Sequence, residues 1–220
     1  MGRGASGTNP YNTTNKGKVI AVTGTGRRMT AKGMATVKGS AMSIKDMKNR
    51  DMQKEVQQAI SRYASKMGLR ETDIKLADMK DAWGVTFIGS DGSQGIYLNK
   101  KLFDRPKKEF VADYKENYKR RGGFKNVTRK PAQHTVTHEL AHATWCSNYT
   151  GAKQKAAGKE IKALYKAFIK DKSKTRKKNY GSYGNSNVDE FWAEVITKGI
   201  HGDNDRYTRR AFAIAKKYKL

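Results

Sequence analysis

The chain has 220 residues, of which 46 are Lys or Arg and 20 are Asp or Glu, so its formal net charge at pH 7 is +26. A field of this size attracts polyanions, which makes a nucleic acid or an acidic protein a candidate partner. The single cysteine, Cys146, excludes an internal disulfide, a Cys-rich zinc ribbon and a CxxC redox pair.

Neither a secretion signal nor a membrane-spanning segment is recognisable in the sequence. No charged start is followed by an apolar run, and no apolar stretch is long enough to cross a bilayer. We therefore expect a protein without a membrane span that is cytoplasmic or associated with a virion. The sequence does not indicate an oligomeric state.

Composition divides the chain into an arm and one domain. Residues 1–17 are rich in Gly, Ser, Asn and Thr, and such a segment buries too little apolar surface to offset the entropy lost on ordering. We predict a basic, Gly-rich, flexible arm over residues 1–42, in which only residues 18–23 resemble a strand. Residues 43–220 are predicted to form a single α+β domain, with a charged surface insertion at about 105–130 and a helical patch inside it.

The first half of this domain contains signals for one helix and one hairpin. Ser43, with Asp46 three residues later, is typical of a helix N-cap, and the apolar periodicity that follows ends at Gly68. Residues 83–88 and 96–98 flank a Gly- and Ser-rich stretch, which predicts a β-hairpin. We expect residues 96–98 to be an edge strand that could pair with an extended peptide.

Four helices are predicted in the second half. Pro131 suits the first turn of a helix that runs towards Trp145, and residues 153–169 have one apolar and one basic face. Asn187 is a candidate N-cap for a helix that ends near residue 199. A last amphipathic helix is expected from Tyr207 onwards.

The chemically informative motif lies on the helix that begins at Pro131. His138, Glu139 and His142 form an HExxH pattern. Helical positions four apart differ by about 40° in azimuth and about 6 Å in rise, so both imidazoles can approach one ion. Zinc accepts such a pair together with a third protein ligand and one open position, and the intervening glutamate can take a proton from water. His134, one turn earlier, is expected at the rim of the cleft rather than on the metal.

The third ligand separates the classes of zinc site. A metzincin would continue with a glycine and a further histidine where this chain has Trp145 and Asn148. Glu190 and Glu194 lie four apart on a predicted helix, so that Glu190 could bind zinc and Glu194 could orient a histidine. His201 is an alternative third ligand, although its glycine-flanked setting is typical of a helix end.

The segment from residue 95 to the C-terminus resembles the catalytic domain of anthrax toxin lethal factor and its zincin-like relatives from phages and mobile elements. The resemblance includes the HExxH helix, a long amphipathic helix and a Tyr-Gly-x-x-Asn-x-x-Glu-Phe-aromatic-Ala-Glu block over residues 183–194. It implies a gluzincin-type zinc site with three ligands: His138, His142 and Glu190. It also implies that Glu139 is the general base and that Tyr183 stabilises the oxyanion. The basic insertion and the arm have no counterpart that we identify in the toxin, so only the chemistry is carried over.

These residues predict a zinc-dependent endopeptidase that acts on a protein or peptide substrate, and the +26 charge favours an acidic one. Two alternatives stay open. The residues around the HExxH motif and the positive charge would suit a SprT- or Spartan-like protease that acts on DNA-associated proteins. Such a protease needs a third histidine, and residues 147–181 contain none. A nucleic-acid-binding or virion structural protein, bound to its polyanion through the arm and the insertion, could carry the motif without using it.

Overall fold

The computed structural model describes residues 19–23, 28–29, 38–68, 74–79, 82–89, 94–119, 128–147, 151–173 and 179–220. These residues form an α+β fold, in agreement with the predicted class. Of the flexible arm predicted over residues 1–42, residues 1–18, 24–27 and 30–37 lie outside the described residues. None of the described helices is both long and apolar enough to span a membrane.

A mixed sheet forms one side of the molecule. Its strands are β1 (Val19–Thr23), β2 (Arg28–Met29), β3 (Lys38–Ser43), β4 (Ile74–Asp78), β5 (Gly84–Gly89) and β6 (Gln94–Asn99). Their order is β2-β1-β5-β6-β4-β3. Only β4 and β6 pair in parallel, and the other neighbours are antiparallel. Four strands, β3 to β6, therefore come from residues 38–99, while β1 and β2 extend the sheet beyond β5.

The sheet confirms the predicted hairpin and corrects two other expectations. Strands β5 and β6 pair in antiparallel register across the Gly- and Ser-rich stretch. However, β6 lies between β5 and β4, so residues 96–98 do not form an edge strand. Strand β1 matches the strand expected at residues 18–23. Strand β2 and most of β3 also lie in the segment predicted as an arm, where backbone pairing with β1 and β4 recruits residues whose composition alone favours a coil.

One helix lies between β3 and β4 in the chain, and the other helices follow β6. They are α1 (Arg50–Met67), α2 (Lys100–Phe103), α3 (Lys107–Lys119), α4 (Pro131–Thr144), α5 (Ala152–Lys170), α6 (Val188–Ile200) and α7 (Arg206–Tyr218), and a 3₁₀ turn, Ile44–Asp46, precedes α1. Helices α4 to α7 begin and end within a few residues of their predicted limits. Their sequences carry the apolar periodicity and the terminal signals on which those predictions depend.

The start of α1 differs from the prediction. The Ser43 side chain accepts from the amide of Lys45 and caps only the short 3₁₀ turn. Helix α1 begins seven residues later, where the Asn49 side chain accepts from the amide of Met52. Gly68 ends the helix as predicted, in the left-handed conformation that glycine adopts without a Cβ penalty.

The predicted surface insertion contains a core element. On α3, Phe110 and Tyr114 are buried, and the Phe110 ring packs edge-on against the rings of Trp83 and Phe103 at centroid distances of 4.9 and 4.8 Å. The helix was expected from the sequence, but its aromatic face closes the core beside β5 instead of lying on the surface. The many lysines of α3 make its sequence predominantly charged, so the buried aromatic face was not recognised and a surface position was predicted.

A cluster of aromatic rings joins the three C-terminal helices. Phe168 of α5 lies 4.7 Å from Phe191 of α6 and 5.1 Å from Tyr207 of α7, measured between ring centroids. Tyr180 packs edge-on against Phe168 at 5.0 Å and donates a hydrogen bond to Asp205, the N-cap of α7. Through Phe191, this cluster packs α6 against α5 and α7.

Replacement of Phe168 tests this support. We expect Phe168→Ala to lower the free energy of unfolding by about 3–5 kcal/mol, because the ring is fully buried and its removal leaves a cavity. The next residue, Ile169, is 40% exposed, so Ile169→Ala should cost less than about 1 kcal/mol. Urea denaturation of both variants measures the difference, and equal losses would contradict the proposed role of the cluster.

Candidate metal centre

Helix α4 is the most buried helix described. It lies between the sheet and α6, with α1 along a third side, and every residue from Pro131 to Ala143 is buried. Its threonines satisfy their hydroxyls locally: Thr135 and Thr137 donate to carbonyls of the preceding turn. Such a helix can hold ionisable side chains only if they are paired, because an isolated buried charge costs several kcal/mol. The partners come from α6.

Three of the predicted site residues meet at the contact of α4 with α6. His138 Nε2 lies 3.0 Å from Glu190 Oε2, His142 Nε2 lies 3.0 Å from His138 Nε2, and His142 Nε2 lies 3.6 Å from Glu190 Oε1. All three side chains are at most 1% exposed. Glu190 is fixed at the start of α6, where the Asn187 side chain accepts from its amide. The sequence-predicted trio is therefore brought together from residues about 50 positions apart.

The separations fit a small divalent cation. Tetrahedral zinc with ligands at 2.0–2.1 Å requires ligand atoms about 3.3 Å apart, and these three donors lie 3.0–3.6 Å apart. When a neutral His138 donates its Nδ1–H to Glu194, its Nε2 and the Glu190 oxygen that faces it at 3.0 Å are both acceptors, and a cation between them would satisfy both. The two histidines and the carboxylate thus form a donor set that one cation would satisfy.

Glu194 fixes the orientation of His138. Its Oε1 lies 2.9 Å from His138 Nδ1, so that Nδ1–H donates to the carboxylate and Nε2 keeps its lone pair for a metal. Burial alone would lower the pKa of His138, but the hydrogen bonds and charges of Glu190 and Glu194 outweigh burial and raise this pKa to about 10. A cation that binds here must therefore displace a proton from His138.

Glu139 lies on the adjacent side of α4, against β5. The Thr86 hydroxyl donates to its carboxylate at 2.9 Å and to its main-chain carbonyl at 2.8 Å. At Gly84 a β-carbon would lie 2.7 Å from Cγ of Glu139, so only glycine leaves room for this side chain. Burial raises the pKa of Glu139, against the opposing influence of the two histidines and Thr86. A raised pKa suits a carboxylate that must hold a proton near neutral pH.

Tyr183 lies close to His138, whereas Tyr180 points elsewhere. The Tyr183 ring is 5% exposed, and its centroid lies 5.3 Å from that of His138. The Tyr180 hydroxyl donates to both oxygens of Asp205, at 3.0 and 2.8 Å, and is committed to the start of α7. Of the two tyrosines, the one that the resemblance indicates is therefore the one beside the histidine pair.

A second potential ligand group partly overlaps the first. His134, His138 and Glu194 also present ligand atoms within 4.8 Å of one another. His134 is 2% exposed and its Nε2 lies 3.1 Å from Glu194 Oε1, so it is a buried partner of this carboxylate and not a residue at the rim of the cleft. In this second group Glu194 lies at hydrogen-bond distance from two imidazoles, so its carboxylate is already paired without a metal. The group that contains Glu190 is therefore the better candidate for the metal position.

Two contacts of the site were not predicted. Thr86 and Gly84 approach Glu139 only because β5 packs on α4, and the one sequence signal was a threonine within an otherwise apolar strand.

His201 was considered as a ligand, but it terminates α6, and its Nε2 lies 3.1 Å from Thr137 Oγ1. It is therefore bonded on a different face of α4 from the three candidate ligands.

Comparison of the chain with protein-family models, with curated proteins and with solved structures returned no match. The function of the site is therefore inferred from its own residues, their distances and their chemistry. Buried histidines and glutamates at these distances could hold a metal ion.

The two glutamates of α6 are expected to differ in their effect on metal binding. Glu194→Ala should weaken zinc binding by about 10- to 100-fold, because it removes a hydrogen bond to a ligand. Glu190→Ala should weaken it considerably more, because it removes a ligand atom. Competition with a chromogenic chelator measures both affinities, and Glu109→Ala, at an exposed position on α3, is the control. Equal losses at positions 190 and 194 would contradict this assignment.

Proposed function

We propose that the protein is a zinc-dependent endopeptidase of the gluzincin type, built on a zincin-type domain. The observation that carries the proposal is the mutual spacing of 3.0–3.6 Å among His138 Nε2, His142 Nε2 and the Glu190 carboxylate. Two imidazoles and one carboxylate are a ligand set that zinc takes in hydrolytic enzymes. Glu139, the residue between the two histidines in the motif, would be the general base.

The chain's own residues have separate tasks in this reaction. Bound zinc supplies a Lewis acid that lowers the pKa of water and polarises a carbonyl oxygen. Glu139 takes the proton of the attacking water, and its raised pKa lets it keep that proton until the leaving amine needs it. Its Oε2 is held by Thr86, while Oε1 has no hydrogen-bond partner within the described part of the chain. One carboxylate oxygen is thus positioned and the other is left for water.

Two further residues prepare the site for the transition state. Glu194 keeps the His138 ring in one orientation, so that its Nε2 faces the other ligand atoms. Tyr183, whose ring packs beside that of His138, would donate a hydrogen bond to the oxyanion that develops on the peptide carbonyl. Orientation of a zinc ligand and stabilisation of an oxyanion both assist attack on a peptide carbonyl, so the substrate class is a protein or peptide.

The alternative with a third histidine ligand has less support. The chain has 4 histidines, and the one downstream of the motif is His201, which contacts Thr137 and Arg62. This arrangement favours Glu190 over a histidine as the third ligand, and with it the gluzincin type over a SprT- or Spartan-like site. The +26 charge still supports the alternative of a nucleic-acid-binding protein whose HExxH motif has no catalytic role. Replacement of Glu139 distinguishes the two alternatives, because only an enzyme would lose hydrolysis.

Replacement of the base separates metal binding from catalysis. Glu139→Gln should retain about one equivalent of zinc, because Glu139 is not a ligand, and should lose peptide hydrolysis by a factor of about 10²–10⁴. Metal analysis and cleavage of a quenched fluorescent peptide library measure the two properties. Glu109→Gln, at an exposed position on α3, is the control. The proposal fails if careful purification yields protein without zinc, or if Glu139→Gln leaves hydrolysis unchanged.

The two neighbouring tyrosines provide a second test. Tyr183→Phe should lower kcat by about 10²–10³ with little change in KM, because the lost hydrogen bond acts only in the transition state. Tyr180→Phe should instead leave kcat intact and cost about 1–2 kcal/mol of stability, because its hydroxyl holds Asp205. Steady-state kinetics and thermal unfolding separate these effects. A Tyr183→Phe variant with normal kcat would remove Tyr183 from the mechanism.

A further inference from the structure

A basic cavity lies on the far side of His134 from the candidate ligands. Its volume is about 550 Å³, within the range of small-molecule sites. We call it the basic pocket; its charged and imidazole lining residues are Arg62, Arg129, Lys130, His134, Lys198, His201 and Asp203. They come from α1, from the start of α4 and from the end of α6, so three separate elements contribute to one concave surface.

The charges of the basic pocket are unbalanced. Four cationic side chains face one carboxylate, and this carboxylate, Asp203, lies 3.4 Å from Lys198. Within the described ranges, no acidic side chain lies within ion-pair distance of Arg62, Arg129 or Lys130. Three of the four cations at this cavity therefore have no ion-pair partner among the described acidic residues, since Asp203 pairs with Lys198. An anion of matching size would supply the missing counter-charge.

A hydrogen-bond chain positions Arg62. The Thr137 hydroxyl donates to the carbonyls of Gln133 and His134, so its oxygen accepts from His201 Nε2–H at 3.1 Å. The other nitrogen, Nδ1, then accepts from the Arg62 guanidinium at 3.4 Å. Burial and the nearby charges of His134, Arg62 and Lys130 lower the pKa of His201 to about 3. A neutral imidazole therefore orients Arg62 without neutralising it, as a carboxylate would.

We propose that the basic pocket binds the phosphate group of a phosphorylated ligand. A phosphate monoester carries nearly two negative charges and three terminal acceptor oxygens, whereas a phosphodiester carries one charge and two such oxygens, and either can bind an arginine fork together with further cations. The cavity is larger than a phosphate alone requires, so the ligand extends beyond it, as a nucleotide or a nucleic-acid strand does. This site does not depend on the proposed peptidase activity, since none of the three candidate zinc ligands lines it.

The test compares charge removal inside and outside the basic pocket. The double variant Arg62→Gln, Lys130→Gln removes two positive charges from the pocket, and Lys162→Gln, Lys166→Gln removes two exposed charges from α5. We expect adenosine monophosphate to bind the wild-type chain saturably, at one equivalent, in isothermal titration calorimetry. The pocket variant should bind about tenfold more weakly or worse, and the α5 variant within about twofold of wild type. Thermal unfolding checks both variants, and the single Lys130→Gln substitution, at an exposed position, replaces the double variant if that does not fold.

Three outcomes would overturn the proposal: no saturable binding to wild type, equal weakening in the two double variants, or no weakening in the pocket variant. Equal weakening would attribute binding to the overall charge. A fluorescent single-stranded oligonucleotide then identifies the source of the phosphate. If it is displaced by adenosine monophosphate and loses affinity in the pocket variant, the pocket takes backbone phosphates. If it binds both double variants alike while the mononucleotide does not, the pocket takes a small phosphorylated ligand.

Discussion

The contact of α4 with α6 imposes the constraint on which the rest of the site depends: ionisable side chains from both helices are buried there and must be paired. His138 lies between Glu190 and Glu194, at 3.0 and 2.9 Å, and His134 shares the second glutamate. Removal of one partner would leave a buried charge, which costs several kcal/mol. The aromatic cluster packs α6 against α5 and α7, and strand β5 packs against α4, so that both helices are supported by further elements. The same contact leaves three donor atoms around a space that suits one cation.

The helices and the hairpin could be predicted because their signals are local. Apolar periodicity, Pro131 at a helix start and Asn187 at an N-cap act within a few residues of one another. The HExxH spacing likewise places two histidines and a glutamate on one helix. Strand β4 was missed because its partners, β3 and β6, are selected by tertiary packing. The approach of Thr86 to Glu139 and the bond between His134 and Glu194 join residues 53 and 60 positions apart, and no local pattern encodes them.

The structure also shows where part of the positive charge of the chain is concentrated. A formal charge of +26 predicts attraction to any polyanion but indicates no position. The basic pocket concentrates three cations without acidic partners, among the described residues, at one concave surface, and His201 connects that surface to α4 through Thr137. His134 contributes to the wall of the pocket and also binds Glu194, so the two candidate sites share the core of one helix. Helix α4 therefore supports residues of both the candidate metal centre and the basic pocket.

Anomalous diffraction from crystals grown with zinc, recorded on both sides of the zinc absorption edge, tests the central claim most directly. The account predicts one strong peak about 2.0–2.2 Å from Nε2 of His138, Nε2 of His142 and a carboxylate oxygen of Glu190. A peak among His134, His138 and Glu194 would contradict the assignment of the ligands. Crystals with Glu190 well away from the histidine pair, and with no peak between them, would contradict the metal centre itself.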